Sequence, residues 1–443
     1  MARGWRFWRR RQVLVRQLLA RHMGGPCDAA ETVTHTIRPV ERVNLQMALD
    51  RWLGADGGQL VGYSRESVFG NTGVSQLLLD DVAQAPVQRQ QVASSPDETL
   101  DCVMRGVYLV RFEGHPVVVL LSNPDMRFEP PVLELLAHDR KTAQEAMKSL
   151  LAETNGGSVY KGRTIFLEEE ERTGQVSVRF HRLPPTPRDA LVLPEPVLAV
   201  IERNVLGLFR HRDVLRRSGR ATRHGLLFHG PPGTGKTLML RYLATSCPDH
   251  TVILLHGRQA GLIRESCQIA RMLAPSLVLL EDVDLVGEDR ATNRCPVVLQ
   301  DLMDEMDGLG TKADVIFLLT TNRPEAIEPA LSARPGRIDQ AIEFPLPDED
   351  SRRRLFALYG QGLELSRLDL DRWITKTEGV SPAFIEELLR KSALMAAERG
   401  ETAEPLPLTD DDVDKAMEEL VCFGGELTQK LLGFKPFGFA RRA

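Results

Sequence analysis

The chain has 443 residues, too many for one hydrophobic core, and its 42% apolar and 26% charged residues fit a folded globular protein of about two to four domains. A net charge of −5 gives no general basic field for nucleic acid, and no apolar run of about eighteen residues is present to span a membrane. The cysteines (Cys27, Cys102, Cys247, Cys267, Cys295 and Cys422) are scattered with no C-x-x-C pair, which reads as reduced thiols of an intracellular protein rather than a disulfide framework.

Residues 1–22 carry Arg3, Arg6, Arg9, Arg10, Arg11, Arg16 and Arg21 with Trp5, Phe7 and Trp8, and no acid. This segment admits four readings: a helix on a membrane surface, a basic arm for an acidic partner, an organelle presequence, or a frayed cationic terminus. Residues 37–53 read as a helix with Val43, Met47 and Leu49 on its apolar stripe and Gly54 as its stop. From Gly54 to Pro96 the pattern is mixed, and only Leu77 to Leu79 suggests a helix.

A β pattern starts near Val107. Val107–Phe112 and Val117–Leu121 flank Glu113-Gly-His-Pro116 as a hairpin, and Val132–Leu136 reads as a third strand. Thr142-Ala-Gln-Glu145 has capping-box spacing and opens a helix that Asn155-Gly-Gly157 ends. A second hairpin joins Arg163–Leu167 to Val176–Phe180 through an acidic loop. This small α+β domain presents no catalytic constellation; His115, His138 and His181 stand singly as turn or surface residues. Leu183-Pro-Pro-Thr-Pro187 reads as a linker.

Pro196–Arg217 has helical spacing and leads to the strand Leu226–Phe228 and then to Gly230-Pro-Pro-Gly-Thr-Gly-Lys-Thr237. A strand, a glycine-rich turn and a helix with G-x-x-x-x-G-K-T spacing form a phosphate-binding loop, in which main-chain N–H groups face an anion at a helix N-terminus. The nucleotide-binding candidates are Gly230, Pro231, Pro232, Gly233, Thr234, Gly235, Lys236, Thr237 and Leu238. Among them Lys236 supplies charge to the β- and γ-phosphates and Thr237 a hydroxyl for Mg²⁺. Strand Thr251–Leu255 and a helix over Ile263–Met272 follow. Ser276–Asp284 is a buried strand that ends in carboxylates, as a metal-and-water site opposite the phosphates requires. Strand Val315–Leu319 ends in Thr320-Thr-Asn322, which places a neutral polar side chain between the other strand tips. Arg334 and Arg337, held by a Pro-Gly turn, suit guanidinium groups offered to a phosphate on a neighbouring subunit.

The motifs GPPGTGKT, LLEDVD, TTNRP and RPGRID, in this order and spacing, make residues 191 to about 420 resemble the AAA family of ATPases. Asp304-Glu-Met-Asp-Gly308 and Phe344-Pro-Leu-Pro-Asp348 resemble the AAA subfamily proper. The resemblance implies an α/β fold, a P-loop NTPase parallel sheet with a C-terminal helical lid, here preceded by the small α+β domain. It implies ATP and Mg²⁺ as cofactors, bound at interfaces of a homo-oligomer that is usually a hexamer. It also implies roles: Thr237 and Glu281 at the metal, Glu281 and Asp282 at metal and attacking water, Asn322 as sensor, Arg334 and Arg337 as fingers acting in trans.

Three features depart from the family pattern. The strand-tip order is Glu281 then Asp282 where Asp then Glu is usual, an order that resembles the mitochondrial AAA proteins assembling the Rieske subunit. The region His256–Ile263 is short and lacks the aromatic residue of peptide-threading members, so threading by an aromatic staircase is not expected. Ala330–Arg334 is one residue longer than the usual spacing, which leaves the finger open between Arg334 and Arg337.

Helices are expected over Ser351–Tyr359, Phe384–Glu398 and Asp411–Val421, the last capped near Thr409, and Gly379-Val-Ser-Pro-Ala383 resembles the family's lead into the helix beside the nucleotide. The expected domains are a basic arm (1–30), an α+β domain for partner recruitment (31–185), the nucleotide domain (186–347), the lid (348–424) and a tail (425–443). The expected function is ATP hydrolysis by a ring that remodels a protein partner. A weakly hydrolysing, nucleotide-gated scaffold and a nucleic-acid-associated motor are the alternatives, the latter disfavoured by the negative net charge. The expected location is cytoplasmic, with mitochondrial or membrane-peripheral as the alternative. No His-Glu-x-x-His is present, so a zinc protease of the AAA type is set aside.

Overall fold

A computed structural model describes residues 13–27, 30–55, 57–64, 73–123, 130–169, 176–256, 261–284, 302–305, 313–327 and 338–423. The chain divides into two compact units, Met1–Arg182 and Leu183–Ala443.

The first unit is built on an antiparallel sheet. Its strands are β1 (Glu31–Thr36), β2 (Gln59–Tyr63), β3 (Gln84–Ala85), β4 (Gln88–Ala93), β5 (Thr99–Phe112), β6 (His115–Ser122) and β7 (Val132–Ala137). They run in the order β1-β7-β6-β5-β2-β3, with β4 on the other half of the long β5. Outside that sheet, β8 (Thr164–Glu169) pairs with β9 (Val176–Phe180) as a hairpin. The helices are α1 (Val15–Met23), α2 (Arg42–Ala55), α3 (Val74–Leu79) and α4 (Arg140–Gly156).

Both faces of the β5–β7 centre of this sheet are covered. Val117, Val119 and Leu121 share one core with Leu45 and Leu49 of α2 and Met147 and Leu150 of α4. Val118 and Leu120, one residue out of phase, share the other with Val15 and Leu19 of α1 and Leu77 of α3. Successive strand side chains point to opposite faces, so a strand buried on both sides reads as an unbroken apolar run rather than an alternation.

The expected helix from residue 37 begins instead as a 3-10 turn, Pro39–Glu41, before α2, and continues past Gly54 to Ala55. The expected Thr142 cap is replaced by Asp139, whose carboxylate accepts from the Thr142 N–H at 2.9 Å and its hydroxyl at 2.7 Å. Asp139 thus starts the helix ahead of Thr142, its carboxylate taking one of the free N–H groups of the first turn. Of the basic arm, residues 1–12 lie outside the described residues, as do the acidic loop at 170–175 and the tail from 424.

In the second unit five parallel strands run in the order β14-β10-β13-β12-β11. These are β10 (His224–His229), β11 (Thr251–His256), β12 (Ser276–Glu281), β13 (Val315–Thr321) and β14 (Gln340–Glu343). The helix expected over 196–217 is broken into α5 (Glu195–Glu202), a π turn at Arg203–Gly207, α6 (Leu208–Arg210) and α7 (Arg212–Arg217). The first two of these pieces pack Leu198, Ile201 and Val205 into the core beneath α8 (Lys236–Thr245), which is followed by α9 (Ile263–Met272).

The lid follows in helices Glu349–Tyr359, Leu370–Lys376, Pro382–Glu398 and Asp410–Glu418. Each starts on a side-chain cap: Asp348, Asp369, Ser381 and Thr409 accept from the N–H three residues on. Trp373, Phe356 and Phe384 are fully buried at its centre. The short helix over 370–376 is absent from the sequence expectation. No helix among the described residues is long and apolar enough to cross a membrane.

Candidate active site

The phosphate loop connects the end of β10 to the start of α8. Its conformation depends on glycine at two places. Gly230 has φ +148°, and a Cβ there would lie 2.3 Å from the Phe344 carbonyl oxygen. Gly233 has φ +73°, and a Cβ would lie 2.9 Å from both Ser381 Oγ and Ala383 Cβ at the start of the lid helix Pro382–Glu398. Thr234 closes the turn by donating its hydroxyl to the Pro231 carbonyl at 2.9 Å.

Lys236 is the first residue of α8 and only 6% exposed. Its Nζ donates to the carbonyl oxygens of Gly230 and Pro231, both at 2.8 Å. Burial pushes its ammonium down to about 8, against the pull of Asp282 and Asp284. A buried cation whose acceptors are two loop carbonyls is the donor set that phosphate oxygens would take over. The residues therefore fit a polyphosphate. Leu238 follows in the first turn of α8, half-buried beside the core.

Two strands away, β12 ends at Glu281. Its Oε2 accepts from Thr237 Oγ1 at 3.4 Å, so two hard oxygen donors face each other across the strand–helix gap. They fit Mg²⁺, which is commonly held by one or two protein oxygens together with phosphate and water. Asp282 leaves the strand at φ +50°, a left-handed conformation uncommon for a side chain other than glycine. Its N–H is held by Thr320 Oγ1 at 3.0 Å, and its Oδ1 accepts from Asn322 Nδ2 at 3.0 Å. Burial raises the Asp282 carboxyl above the usual range, reinforced by Asp284 and opposed by Lys236 and the Asn322 amide.

Topology explains the convergence. β13 is paired with β10 on one side and with β12 on the other, so the tip carrying Asn322 lies between the phosphate loop and the acids. Side chains at the C-terminal ends of neighbouring parallel strands line the crevice where such sheets bind ligands. Of the residues expected from sequence, Gly230 to Leu238, Glu281, Asp282 and Asn322 gather at this end. Arg334 and Arg337 lie outside the described residues, as do positions 257–260 of the expected pore region.

Three contributors escaped the sequence reading. Asp284, Thr320 and Thr321 join the two acid-bearing and sensor-bearing tips, with Thr321 Oγ1 donating to Asp284 Oδ1 at 2.8 Å. The only sequence signal was a third acid closing the Glu281-Asp-Val-Asp284 run.

A five-stranded parallel arrangement with a lysine-bearing glycine loop opposite strand-tip acids, and a helical lid behind it, defines an α/β P-loop NTPase. Residues 226–346 match the model of the ATPase family associated with various cellular activities (AAA). It is similar to the proteasome-activating nucleotidase of Methanopyrus kandleri, at 32% identity over 228 residues, 47% of this chain and 50% of the relative. It is also similar to the ATPase family gene 2 protein homolog A of Homo sapiens, at 35% over 219 residues, 46% and 24% of the two chains. The ATP-dependent zinc metalloprotease FtsH 2 of Symbiobacterium thermophilum is 31% identical over 236 residues, 50% of this chain and 39% of its own. The chain thus spans half or less of the length of these curated relatives.

Proposed function

We propose that this chain binds ATP with Mg²⁺ and hydrolyses it, and that it does so as a ring of identical subunits that remodels a protein partner. One observation carries the reading: Lys236, the Thr237–Glu281 pair and the Asp282–Asn322 pair meet at one end of a single sheet. Lys236 and the loop N–H groups would hold the β- and γ-phosphates, and Thr237 with Glu281 the metal, which supplies charge neutralisation at the transferred phosphoryl group. Asp282 would accept the proton of the attacking water, while Asn322 orients that carboxylate. Arg334 and Arg337 would complete the site from the next protomer, and a hexamer is the proposed assembly.

The partner is proposed to be a protein, recruited by residues 31–185. A net charge of −5 disfavours nucleic acid, and a relative named as a proteasome-activating nucleotidase supports a protein-directed role. A cytoplasmic location is proposed with it.

The deciding measurement is Mg-ATP hydrolysis by the purified chain against a Lys236→Ala control, at concentrations that permit assembly. Turnover no higher than the control sinks the enzyme reading. Arg337→Ala is expected to lose turnover and keep nucleotide affinity; the reverse pattern removes it as a finger, and Arg334→Ala is then the comparison.

A second reading, a nucleotide-gated scaffold with weak turnover, is favoured by one detail: Asp282 is a methylene shorter than glutamate and its Oδ1 already engages Asn322 at 3.0 Å.

A further inference from the structure

Asp284 stands just beyond the strand-tip acids, 8% exposed, and none of the proposed steps uses it. Its Oδ1 accepts twice from the neighbouring strand end: from Thr321 Oγ1 at 2.8 Å and from the Asn322 N–H at 3.2 Å. Thr321 Oγ1 in turn accepts from the Arg323 N–H at 3.0 Å. The left-handed turn at Asp282, φ +50°, redirects the chain so that a residue two positions on comes back against β13 instead of continuing away from it. In the opposite direction Thr320 Oγ1 takes the Asp282 N–H at 3.0 Å. The two strand ends are therefore laced by contacts running both ways, and the Asn322 amide emerges from the lacing at 3.0 Å from Asp282.

We infer that Asp284 is a positioning residue for the hydrolytic step: by holding Thr321 and the Asn322 main chain, it fixes where the Asn322 amide meets Asp282. The inference deepens the hydrolase reading and rests on it. A short carboxylate makes the need greater, because in-line attack tolerates displacements of only about 1 Å before about 100-fold in rate is lost. A buried group supporting a reacting one characteristically affects activity by about 10–100-fold when removed.

The test compares Asp284→Ala, Asp284→Asn and Thr321→Val with the unaltered full chain, measuring steady-state ATP turnover and, separately, affinity for a fluorescent ATP analogue. Asp284→Ala is expected to lower kcat by about 10–100-fold while the analogue binds within about threefold of wild type. Asp284→Asn keeps an Oδ1 acceptor and is expected to restore most of the rate. A purely structural role would depress rate and affinity together and would not separate Asn from Ala. Wild-type turnover in Asp284→Ala, parallel loss of affinity, or an Asn variant as slow as the Ala variant overturns the inference. If Asp284→Ala does not fold, Thr321→Val decides: turnover at least about threefold slower at unchanged affinity is required, and an unchanged rate overturns the inference. Absence of turnover in the unaltered chain above Lys236→Ala instead removes the hydrolase reading and this inference with it.

Discussion

The Gly233 carbonyl accepts a hydrogen bond from the Ala383 N–H at 3.2 Å, so main chain alone ties the phosphate loop to the first turn of a lid helix. Ser381, which caps that helix, sits against the same glycine. A phosphate entering the loop therefore meets a turn already braced by the lid, and a movement of either is felt by the other. Such rigid-body coupling between packed elements is how a local event at a nucleotide reaches a distant surface.

Gly233→Ala tests this brace. A left-handed alanine costs about 1–2 kcal/mol, and the added Cβ would collide with Ser381 and Ala383. Affinity for an ATP analogue is expected to fall by about tenfold or more, since 1.4 kcal/mol is tenfold in a binding constant. Titration of the variant with a fluorescent analogue checks it; wild-type affinity would show that loop and lid are independent.

Lys236→Ala removes the buried ammonium and leaves the Gly230 and Pro231 carbonyls without their donor. Charge-assisted hydrogen bonds contribute about 1.5–3 kcal/mol, so nucleotide affinity should drop by roughly 10–150-fold. Calorimetric titration with Mg-ATP at fixed pH measures the loss, and a change below about threefold would mean that Lys236 does not grip the phosphates.

Asp282→Glu lengthens the proposed base by one methylene. If the wild-type chain is a slow, scaffold-like ATPase, this change should raise turnover by about tenfold or more, given the sensitivity of attack geometry to displacements of about 1 Å. Unchanged or slower turnover favours a site already adjusted to aspartate, with Asn322 and its supports setting the distance.

The lid should be acid-sensitive through Asp412. Burial alone would raise its carboxyl, but the hydrogen bonds from Arg399 and Thr409 win and hold it below the usual range. Its folded value lies below its unfolded one, so its stabilisation is complete above the unfolded value near 3.9 and disappears as pH falls through the lowered folded value. Trp373 reports on the same core, with its Nε1 donating to Asp410 at 2.6 Å. Urea melts followed by tryptophan fluorescence in a background with Trp5, Trp8 and Trp52 replaced by Phe, which leaves Trp373 alone, should therefore show a lid midpoint that is steady from pH 5 to 7 and drops below about pH 4. Asp412→Ala should lower lid stability by about 1–3 kcal/mol at pH 7 and lessen the acid drop, to which the lowered carboxyls of Asp348, Glu387 and Asp414 also contribute.

The phosphate loop could be read from sequence because its chemistry is local: turn, charge and helix start lie within eight residues. The strand tips were readable for a different reason: acids at a strand end are common, but here they end an apolar run at the expected distance after the phosphate loop. What remained hidden depends on neighbours. Asp284 acquires a purpose only once β12 and β13 are adjacent, which no spacing along the chain reveals. β1 and β4 were missed because Glu31–Thr36 and Gln88–Ala93 are polar and largely exposed, so the alternation that marks a half-buried strand is faint. The helix over 370–376 has only seven residues, too few to establish a period.

The double cover of the N-terminal sheet restricts how that unit can greet another molecule. Among the described residues, α2 and α4 cover one side of the β5–β7 centre and α1 and α3 the other, so that part of the sheet offers no bare face. What stays open, among the described residues, is the rim, where β1 has β7 on one flank only and shows its polar side chains outward. If this unit recruits a protein, as proposed, the open flank of β1 favours an extended segment paired alongside it.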